Sequence, residues 1–527
     1  MIRRALAAAA FVLAVSAAPA TAADYDVSSS AELISALALA QASAEPDKIV
    51  LAANTQFDAP AGANGFSYNG VASGALEIAG AGDSTVIACD PANDTVFNLV
   101  AAPGSWVHHL RFGTNAGGCK TSSYLLASSG ANVNDVSFVP RGITRAARLG
   151  AVSSLSRATI AGNSGVLSVG VEVAAGATVL IDRVHVSGVF TGVEATQTAS
   201  VQIRDSLIDL GVQSLSSGLR PAGVYFGLDA GNSQVEATLS NVTIVGTGAN
   251  ADGVYLLNHQ DIASPAPTLS LMAKNSIMAM TGAGSRDLSC PNFDFSFGLL
   301  SVTLDHVAAD RSTFLTEDCG GVGGSLTDTN KIDRATSALL LDGQHKPTAG
   351  SSAIDAGDPV FVPELGELDL AGNLRVFGPK VDLGAYEFGS SPPDAGGGGP
   401  GPGEGPGTGG DTAAALTLRF GRPVGRLKVT RKAKALGKGT KKSKPRIPVT
   451  LSAAAKVTFT LAAKPKNRRK KAKTIKGSRS ISLPAGQSYL TWTGRWGRKK
   501  LKPSSYILTA KAPGLAAPVA LTVKLGR

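Results

Sequence analysis

The chain has 527 residues, and its net charge of +11 combines two parts of opposite sign. Residues 411–527 hold 30 of the 50 Lys and Arg residues but one of the 39 acidic residues, so this part carries +29 and residues 1–410 carry −18. After the N-terminal leader no stretch approaches the roughly 18 consecutive apolar residues of a membrane span, which excludes a transmembrane protein and predicts a soluble mature chain of two or three units.

The N-terminal leader, from Met1 to Ala22, has the order of regions of a secretory signal peptide. Arg3 and Arg4 precede an apolar run from Ala5 to Val15, and small residues end at Ala22. This run is too short to cross a bilayer, and its flanks are typical of export. We therefore expect a secreted protein that is extracellular or associated with the cell surface.

One helix is expected, in the stretch SSSAELISALALAQA that follows the leader. Ser29 or Ser30 can accept hydrogen bonds at its N-terminus. The residues expected on its buried face are Leu33, Ile34, Leu37 and Ala38 or Leu39. The following DKIVLAA indicates a first strand.

The rest of the acidic part repeats a short strand-like segment. Aromatic residues make up 5% of the chain, and apolar residues fall in short alternating runs between turn residues. Segments such as SRATIAG, DRVHVSG and SNVTIVG align on one apolar anchor each, at spacings of 22 to 36 residues. This spacing predicts about ten stacked coils of a solenoid, with the longer intervals forming protruding loops. The anchors are Phe112, Phe138, Ile160, Val186, Ile208, Ile244 and Met278.

A polar residue stands three positions before every anchor. These residues are His109, Asp135, Arg157, Arg183, Asp205, Asn241 and Asn275. Stacked coils would place them about 4.8 Å apart at the turn that enters each strand. Asp135 could then pair with Arg157, and Arg183 with Asp205. Because an exposed pair contributes at most about 1 kcal/mol, we expect this column to fix the register of the coils.

The four cysteines fall into two local pairs, Cys89 with Cys119 and Cys290 with Cys319. Four cysteines allow three connectivities, and local pairing closes loops of about 30 residues within neighbouring coils. An exported protein can keep such disulfides. No CxxC occurs and there are six histidines, so a zinc site has little support.

Two stretches resemble secreted bacterial right-handed parallel β-helix proteins of the pectate-lyase-like superfamily. YDVSSSAELISALALAQA with DKIVLA is similar to their N-terminal cap helix and first strand. GSSAIDAGDP with LDLAGNLRVFGPKVDLGAYEF is similar to a closing segment often labelled a choice-of-anchor region, although Ser352 stands where that segment usually has Pro. The residues that match it are Asp355, Gly357, Asp369, Gly372, Arg375, Asp382, Gly384 and Glu387.

The resemblance covers residues 24–388 and implies an all-β fold, a right-handed parallel β-helix with an N-terminal cap helix. It also implies that KVDLGAYEFG closes the last coil and caps the open end of the solenoid. Arg375 would then tie Asp369 to Asp382. The alternative for this segment is a calcium site whose ligands would be Asp355, Asp358, Asp369 and Asp382.

Residues 389–412 form a Gly/Pro-rich linker, and residues 413–527 predict a basic domain. Six strand-like segments, from ALTLRF to PVALTVKL, predict a small antiparallel β-sandwich. GRWGRKKLKPSSYILTAKA resembles the end of β-sandwich modules at the C-termini of secreted actinobacterial proteins. The clusters KKSKPR and PKNRRKKAK, expected in loops, suit an anionic polysaccharide or cell-wall polymer. No nucleic-acid module is recognisable, and a solvated basic surface without a partner is the alternative.

The parallel β-helix proteins that the chain resembles include polysaccharide lyases and hydrolases as well as surface proteins without catalysis, so the fold leaves the function open. The candidates for an enzyme are Asp205 and Asp209 with Arg183, and the loop acids Asp229, Asp252 and Asp261. Because none of them forms a specific motif, we expect a surface-associated binding or adhesion protein without catalytic, cofactor or metal-binding residues. The alternative is a polysaccharide lyase or glycoside hydrolase, and the oligomeric state stays open.

Overall fold

The structure is a computed structural model. It describes residues 22–62, 64–70, 74–90, 92–113, 124–140, 145–162, 168–211, 219–228, 233–257, 267–291, 299–319, 324–334, 338–364, 367–392, 418–420, 446–451, 455–463, 473–483, 486–491, 495–496, 499–501, 504–512 and 519–524. These residues belong to two compact units, unit 1 within Met1–Val362 and Leu368–Pro392, and unit 2 within Pro363–Glu367 and Pro393–Arg527. Residues 1–21 of the predicted signal peptide (1–22) and residues 393–412 of the predicted linker (389–412) lie outside the described residues.

Unit 1 is a right-handed parallel β-helix, as predicted. Its strands pair in parallel with the equivalent strands of the coils before and after them. The strands are β1 Asp24–Val27, β2 Asp47–Leu51, β3 Thr55–Asp58, β4 Asn64–Asn69, β5 Leu76–Ala79, β6 Thr85–Ala88, β7 Thr95–Gly113, β8 Tyr124–Phe138, β9 Arg145–Gly150, β10 Val152–Ser156, β11 Thr159–Ala161, β12 Val169–Val173, β13 Ala177–Asp182, β14 His185–Ser187, β15 Thr191–Ala195, β16 Ala199–Arg204, β17 Leu207–Asp209, β18 Ala222–Gly227, β19 Gln234–Ser240, β20 Thr243–Gly246, β21 Asp252–Leu257, β22 Thr268–Met280, β23 Arg286–Ser289, β24 Leu299–Ala309, β25 Gly324–Thr329 and β26 Ile332–Asp333. Two 3-10 turns span Gly82–Ser84 and Arg311–Thr313.

The predicted helix is α1, Ser30–Ala42, and Ser29 caps it by accepting a hydrogen bond from the Glu32 N–H. Leu33 and Leu37 are buried as expected, together with Ala36 and Ala40. The placement of Ile34 and Leu39 on the buried face is wrong, and both side chains are exposed. Residues three or four positions apart share one face of a helix, and neither Ile34 nor Leu39 has this spacing from Leu33. The first strand is β1, which precedes the helix and pairs with β2.

Each coil contributes one strand to each of three faces. In one coil β12 belongs to the first face, β13 to the second and β14 to the third, and the next coil repeats this order with β15, β16 and β17. Long strands such as β7 and β8 turn the corners and contribute to all three faces. Alternate residues of each strand therefore point into one continuous core, and the others point outward.

All seven predicted anchors lie in that core on the third face. Each is at most 1% exposed, and the register pairs them directly from one coil to the next. The rings of Phe112 and Phe138 stack with their centroids 5.0 Å apart. The register derived from the spacing of the anchors is confirmed.

The polar column before the anchors forms the turn between the second and third faces. All seven of its residues have a positive φ, between 48° and 56°, and His306 and Asn330 extend the same column by two coils. Asn, Asp and His tolerate this left-handed conformation better than most residues, which explains the polar column. The predicted Asp135–Arg157 pair is confirmed, with Arg157 Nε donating to Asp135 Oδ1 at 2.6 Å.

The predicted pairing of Arg183 with Asp205 is wrong. Arg183 lies 3.5 Å from the carboxylate of its neighbour Asp182. Asp205 is fully buried and lies 3.2 Å from the guanidinium Nε of Arg375, which belongs to a distant part of the chain. Asn241 also donates a hydrogen bond to Asp205. Arg375, from a distant segment, is therefore the cation beside this carboxylate in place of Arg183, while Asn241 of the following coil also contacts it.

That segment, the closing segment of residues 338–362 and 368–392, packs on the outer side of the third face. Its residues Ala353, Leu383, Ala385 and Tyr386 pack in a second, smaller core on outward side chains of β17, β20, β22 and β24. The Ala385 N–H donates to Thr243 Oγ1 and the Asp358 N–H to Asn275 Oδ1. The prediction that KVDLGAYEFG caps the end of the solenoid is wrong, because the apolar outer side of these strands binds it laterally.

Arg375 organises the closing segment, although not as predicted. It is 1% exposed, and its Nη2 donates to the carbonyl oxygens of Asp382 and Gly384. Asp369 and Asp382 bind backbone N–H groups instead. The Asp369 carboxylate accepts hydrogen bonds from the N–H groups of Asn373 and Glu387. The Asp382 carboxylate accepts them from the N–H groups of Asp355 and Phe388. Two aspartates thus hold two turns together, and Arg375 joins them to the solenoid.

The Cys290–Cys319 disulfide is confirmed, with a Cα–Cα distance of 5.8 Å. Cys89 is fully buried, but Cys119 lies outside the described residues, so their pairing stays a prediction.

Unit 2 is a small antiparallel β-sandwich, as predicted. A four-stranded sheet and a three-stranded sheet form it, together with a short two-stranded ribbon. Its strands are β27 Leu418–Phe420, β28 Arg446–Leu451, β29 Ala455–Ala463, β30 Lys473–Leu483, β31 Gly486–Thr491, β32 Arg495–Trp496, β33 Lys499–Lys500, β34 Ser505–Lys511 and β35 Val519–Lys524. Residues 441–445 and 465–472, which hold most of the two predicted basic clusters, lie outside the described residues.

Candidate functional site on the first face

Stacked glycines align the strands of the first face. A Cβ atom at Gly170 would lie 2.5 Å from the carbonyl oxygen of Gly192, and Gly192 stands in the same relation to Gly223, at 2.4 Å. Gly253 continues the column, because a Cβ atom at Gly223 would lie 2.6 Å from the carbonyl oxygen of Gly253. No other residue type fits such close backbone approach. The repeated Gly-Val pair therefore places an inward Val and then an outward side chain in each of these four coils.

These outward side chains form one continuous row, which we call the first-face row. The register pairs Arg148 with Glu172, Glu172 with Glu194, Glu194 with Tyr225 and Tyr225 with Tyr255. Successive members stand one strand apart, about 4.8 Å. The row thus presents a cation, two carboxylates and two phenols in a line of about 19 Å.

A compact charged cluster occupies the Arg148 end of the row. Arg145 Nε lies 2.6 Å and Arg148 Nε 3.2 Å from the two carboxylate oxygens of Glu172. Tyr124 donates its hydroxyl to the same carboxylate at 2.9 Å. Both guanidinium carbons also lie 5.5 Å from the centre of the Tyr124 ring, within cation–π range. Two cations thus share one carboxylate, and Arg148 remains 47% exposed.

Tyr124 acts in this cluster as a hydrogen-bond donor. Burial, followed by the negative charge of Glu172, raises the pKa of Tyr124 to about 12, against the opposing effect of Arg145. The hydroxyl therefore keeps its proton near neutral pH and fixes the Glu172 carboxylate between the two arginines.

The other end of the row is aromatic. The rings of Tyr225 and Tyr255 stack with centroids 5.5 Å apart and an angle of 20° between their planes. Beside them the predicted candidate Asp252 is fully buried and accepts two hydrogen bonds from Arg220, at 2.6 and 2.9 Å. Burial raises the pKa values of Asp252 and Tyr255. Asp252 therefore pairs with Arg220 and does not face solvent.

A cavity of about 260 Å³ adjoins the charged end. It is lined by Arg148 and by small residues of three neighbouring coils, among them Ala127, Ser129 and Ala174. The half-exposed Arg148 thus belongs both to the charged cluster and to the lining of this small cavity.

The other predicted catalytic candidates do not come together. Asp205 is buried beneath the closing segment, and Arg183 pairs with Asp182. Asp209 lies at the edge of the closing segment, 3.2 Å from His345 Nε2. Hydrogen bonds from His345 and the Gly211 N–H lower the pKa of Asp209 against the effect of burial. Asp229 and Asp261 lie outside the described residues.

The alternative calcium site is not supported by the geometry. Asp369 and Asp382 direct their carboxylates to backbone N–H groups, and Asp358 pairs with Lys274. Within the described part of the chain no group of three or more His, Cys, Asp or Glu side chains could hold a metal ion. There, too, no helix is long and apolar enough to cross a membrane.

The sequence matches no protein-family profile and no curated protein. Among solved structures it is similar to the crystal structure of an alginate lyase from Paenibacillus sp. str. FPU-7, with 12% sequence identity and a TM-score of 0.35. The match covers 59% of this chain and 99% of that chain. A likeness this weak does not assign an activity.

Proposed function

We propose that unit 1 binds an acidic polysaccharide along the first-face row. The observation that carries this proposal is the line of five outward side chains, one per coil, that begins at the Arg145–Arg148 pair. Guanidinium groups match carboxylates with two parallel hydrogen bonds, and two of them here share a single carboxylate. An anionic sugar can therefore add to this cluster.

The remaining members of the row suit the rest of a sugar chain. The carboxylates of Glu172 and Glu194 accept hydrogen bonds from hydroxyl groups, and the hydroxyls of Tyr225 and Tyr255 donate and accept them. Because the row is straight and repeats with the strand spacing, it favours an extended polymer over a small ligand.

Unit 2 extends the proposal to the cell surface. Residues 413–527 carry 30 Lys and Arg residues and no acidic residue. A polycation binds polyanions by releasing their counterions, with little dependence on sequence or sugar identity. Secretion of the protein, and its attachment to anionic envelope polymer through this domain, complete the proposed function. The confirmed disulfide is consistent with an oxidising compartment.

Binding of polygalacturonate and alginate by the full chain, measured by affinity electrophoresis, tests the role of the row. Arg148→Met should weaken binding about tenfold, the effect of losing one good charge-assisted hydrogen bond. Arg479→Met, which removes an exposed arginine of unit 2, is the charge-matched control and should have a much smaller effect. An equal loss of affinity in both variants would show that the binding depends on overall charge and not on the first-face row.

A polysaccharide lyase or glycoside hydrolase is the second candidate, favoured by one observation. Glu172 and Glu194 are register partners on adjacent strands of an open face, where paired carboxylates can serve as acid and base. Release of unsaturated or reducing ends from these polymers, abolished by Glu194→Gln with binding retained, would establish catalysis. Binding without product from either polymer is the result expected for a binding protein.

A further inference from the structure

Trp106 lies at the centre of a second polar patch, on the second face of unit 1. Its side chain is 50% exposed. In the register its neighbours are Glu77 on one side and Asn132 on the other, and Lys48 lies one strand beyond Glu77. Outward residues of four successive coils thus place an open indole between polar groups. We call these residues, together with His108, the Trp106 patch.

The polar groups of the Trp106 patch are held in place and balance each other in charge. Glu77 Oε1 lies 2.7 Å from Lys48 Nζ and 3.2 Å from His108 Nε2. The His108 ring stands edge-on to the indole, with centroids 6.4 Å apart. The hydrogen bond from Lys48 lowers the pKa of Glu77, so this carboxylate stays ionised and paired. The charges of Lys48 and Glu77 therefore compensate each other, and both side chains remain able to form hydrogen bonds.

From this geometry we infer that the Trp106 patch is a second carbohydrate site, which takes an uncharged pyranose ring of a glycan. Such a ring has an apolar face of C–H groups that can cover the indole and a rim of hydroxyls that can reach Glu77, Lys48 and Asn132. The site lies on a different face from the first-face row and lacks the pair of arginines at one end of that row, so it adds a neutral-sugar contact to the proposed acidic one.

A protein or membrane partner fits the Trp106 patch less well. Such partners require a contiguous apolar area of several hundred Å², whereas the indole is surrounded by polar side chains. The next strongly exposed apolar residue on the same outward row is Met272, six strands away, or about 29 Å. Along this row the aromatic ring thus has polar neighbours on both sides, an arrangement that suits a sugar.

Isothermal titration of the full chain with cellohexaose, mannohexaose and xylohexaose tests this inference. Wild-type protein should bind at least one of these uncharged hexasaccharides, and Trp106→Ala should weaken that binding about tenfold or more, as expected for loss of an aromatic contact. Trp106→Phe, which keeps a flat ring, should recover part of the affinity. Met272→Ala removes an equally exposed apolar residue of the same row and should leave the affinity unchanged.

The outcome is separable from that of the acidic-polysaccharide proposal. Arg148→Met should leave neutral hexasaccharide binding intact, and Trp106→Ala should leave polygalacturonate binding intact. No binding of any of the three probes by folded wild-type protein would overturn the inference, as would equal affinities of wild type and Trp106→Ala.

Discussion

The buried guanidinium of Arg375 lies 3.2 Å from the buried carboxylate of Asp205, and this contact joins the closing segment to the turn column of the solenoid. Both side chains are fully excluded from solvent, and Glu387 lies 3.9 Å from the same guanidinium. The closing segment is therefore an integral lateral part of unit 1.

Replacement of Arg375 by Met should strongly destabilise unit 1. The substitution removes the buried guanidinium that faces Asp205 and Glu387, and loss of one partner of a buried ion pair costs about 3 to 5 kcal/mol. Urea unfolding followed by circular dichroism measures the loss. Arg157→Met, which removes a partner from the exposed Asp135 pair of the same turn column, should cost no more than about 1 kcal/mol. Similar losses in the two variants would contradict the structural role given to Arg375.

The stability of the closing segment should fall at alkaline pH. Burial raises the pKa of Glu387 to about 8, and Arg375 opposes this shift only in part. A carboxyl group whose pKa is higher in the folded than in the unfolded protein stabilises the fold fully below its unfolded pKa, and this contribution is lost as the pH rises through about 8. The melting temperature of wild type should therefore fall more than that of Glu387→Gln between about pH 6 and pH 9. Parallel curves would show that Glu387 does not carry the effect.

Cys89 should be linked to Cys119. The confirmed Cys290–Cys319 bond has a sequence separation of 29 residues, which leaves the other two cysteines as the remaining pair. Non-reducing peptide mapping should find both local links and no mixed pair. A disulfide that closes a loop of this length stabilises by about 3 kcal/mol, so Cys290→Ser with Cys319→Ser should unfold at lower denaturant concentration. A peptide joining Cys89 to Cys290 would contradict the pairing.

The core of the solenoid could be predicted because its signal is local to each coil. Ile160 and Val186 are buried partners in adjacent coils, and the stretch of sequence between them is the length of one coil. The polar turn column followed from the same register, as with Asp135 and Arg157. The lateral closing segment depends on contacts such as Arg375 with Asp205, which no local pattern contains.

Two sequence signals could have revealed more. The first signal is in the third-face strands. In TIA and HVS, apolar and polar residues alternate. In LID, TIVG and the end of β22, SIMAM, apolar residues occupy both sides, and this loss of alternation marks where the closing segment packs. The pattern Gly-Val followed by Glu or Tyr, at positions 170–172, 192–194, 223–225 and 253–255, marks the first-face row. Its spacing differs from that of the anchors because loops of different length precede these strands.

Binding through unit 2 should depend steeply on salt. If the basic domain holds an anionic wall polymer, each neutralised charge releases a counterion, and the logarithm of the binding constant falls linearly with the logarithm of the salt concentration. Pull-down of the full chain with teichoic acid between about 50 and 200 mM salt measures this slope. Neutralising Arg468, Arg469, Lys470 and Lys471 together should weaken binding and flatten the slope, whereas Arg157→Met in unit 1 should not. Salt-insensitive binding would favour a merely solvated surface.

The proposal that an extended acidic polysaccharide binds along the first-face row is tested most directly by the dependence of affinity on oligosaccharide length. Oligogalacturonates of two to eight sugar units are titrated into wild type, Arg148→Met and Tyr255→Ala, at a salt concentration high enough to screen unit 2. Arg148 and Tyr255 lie at opposite ends of a row of about 19 Å. Wild-type affinity should rise with length until the row is filled, Arg148→Met should weaken every length, and Tyr255→Ala should weaken only the longer chains. Affinity that is independent of length, or equal in all three proteins, would contradict binding along the first face.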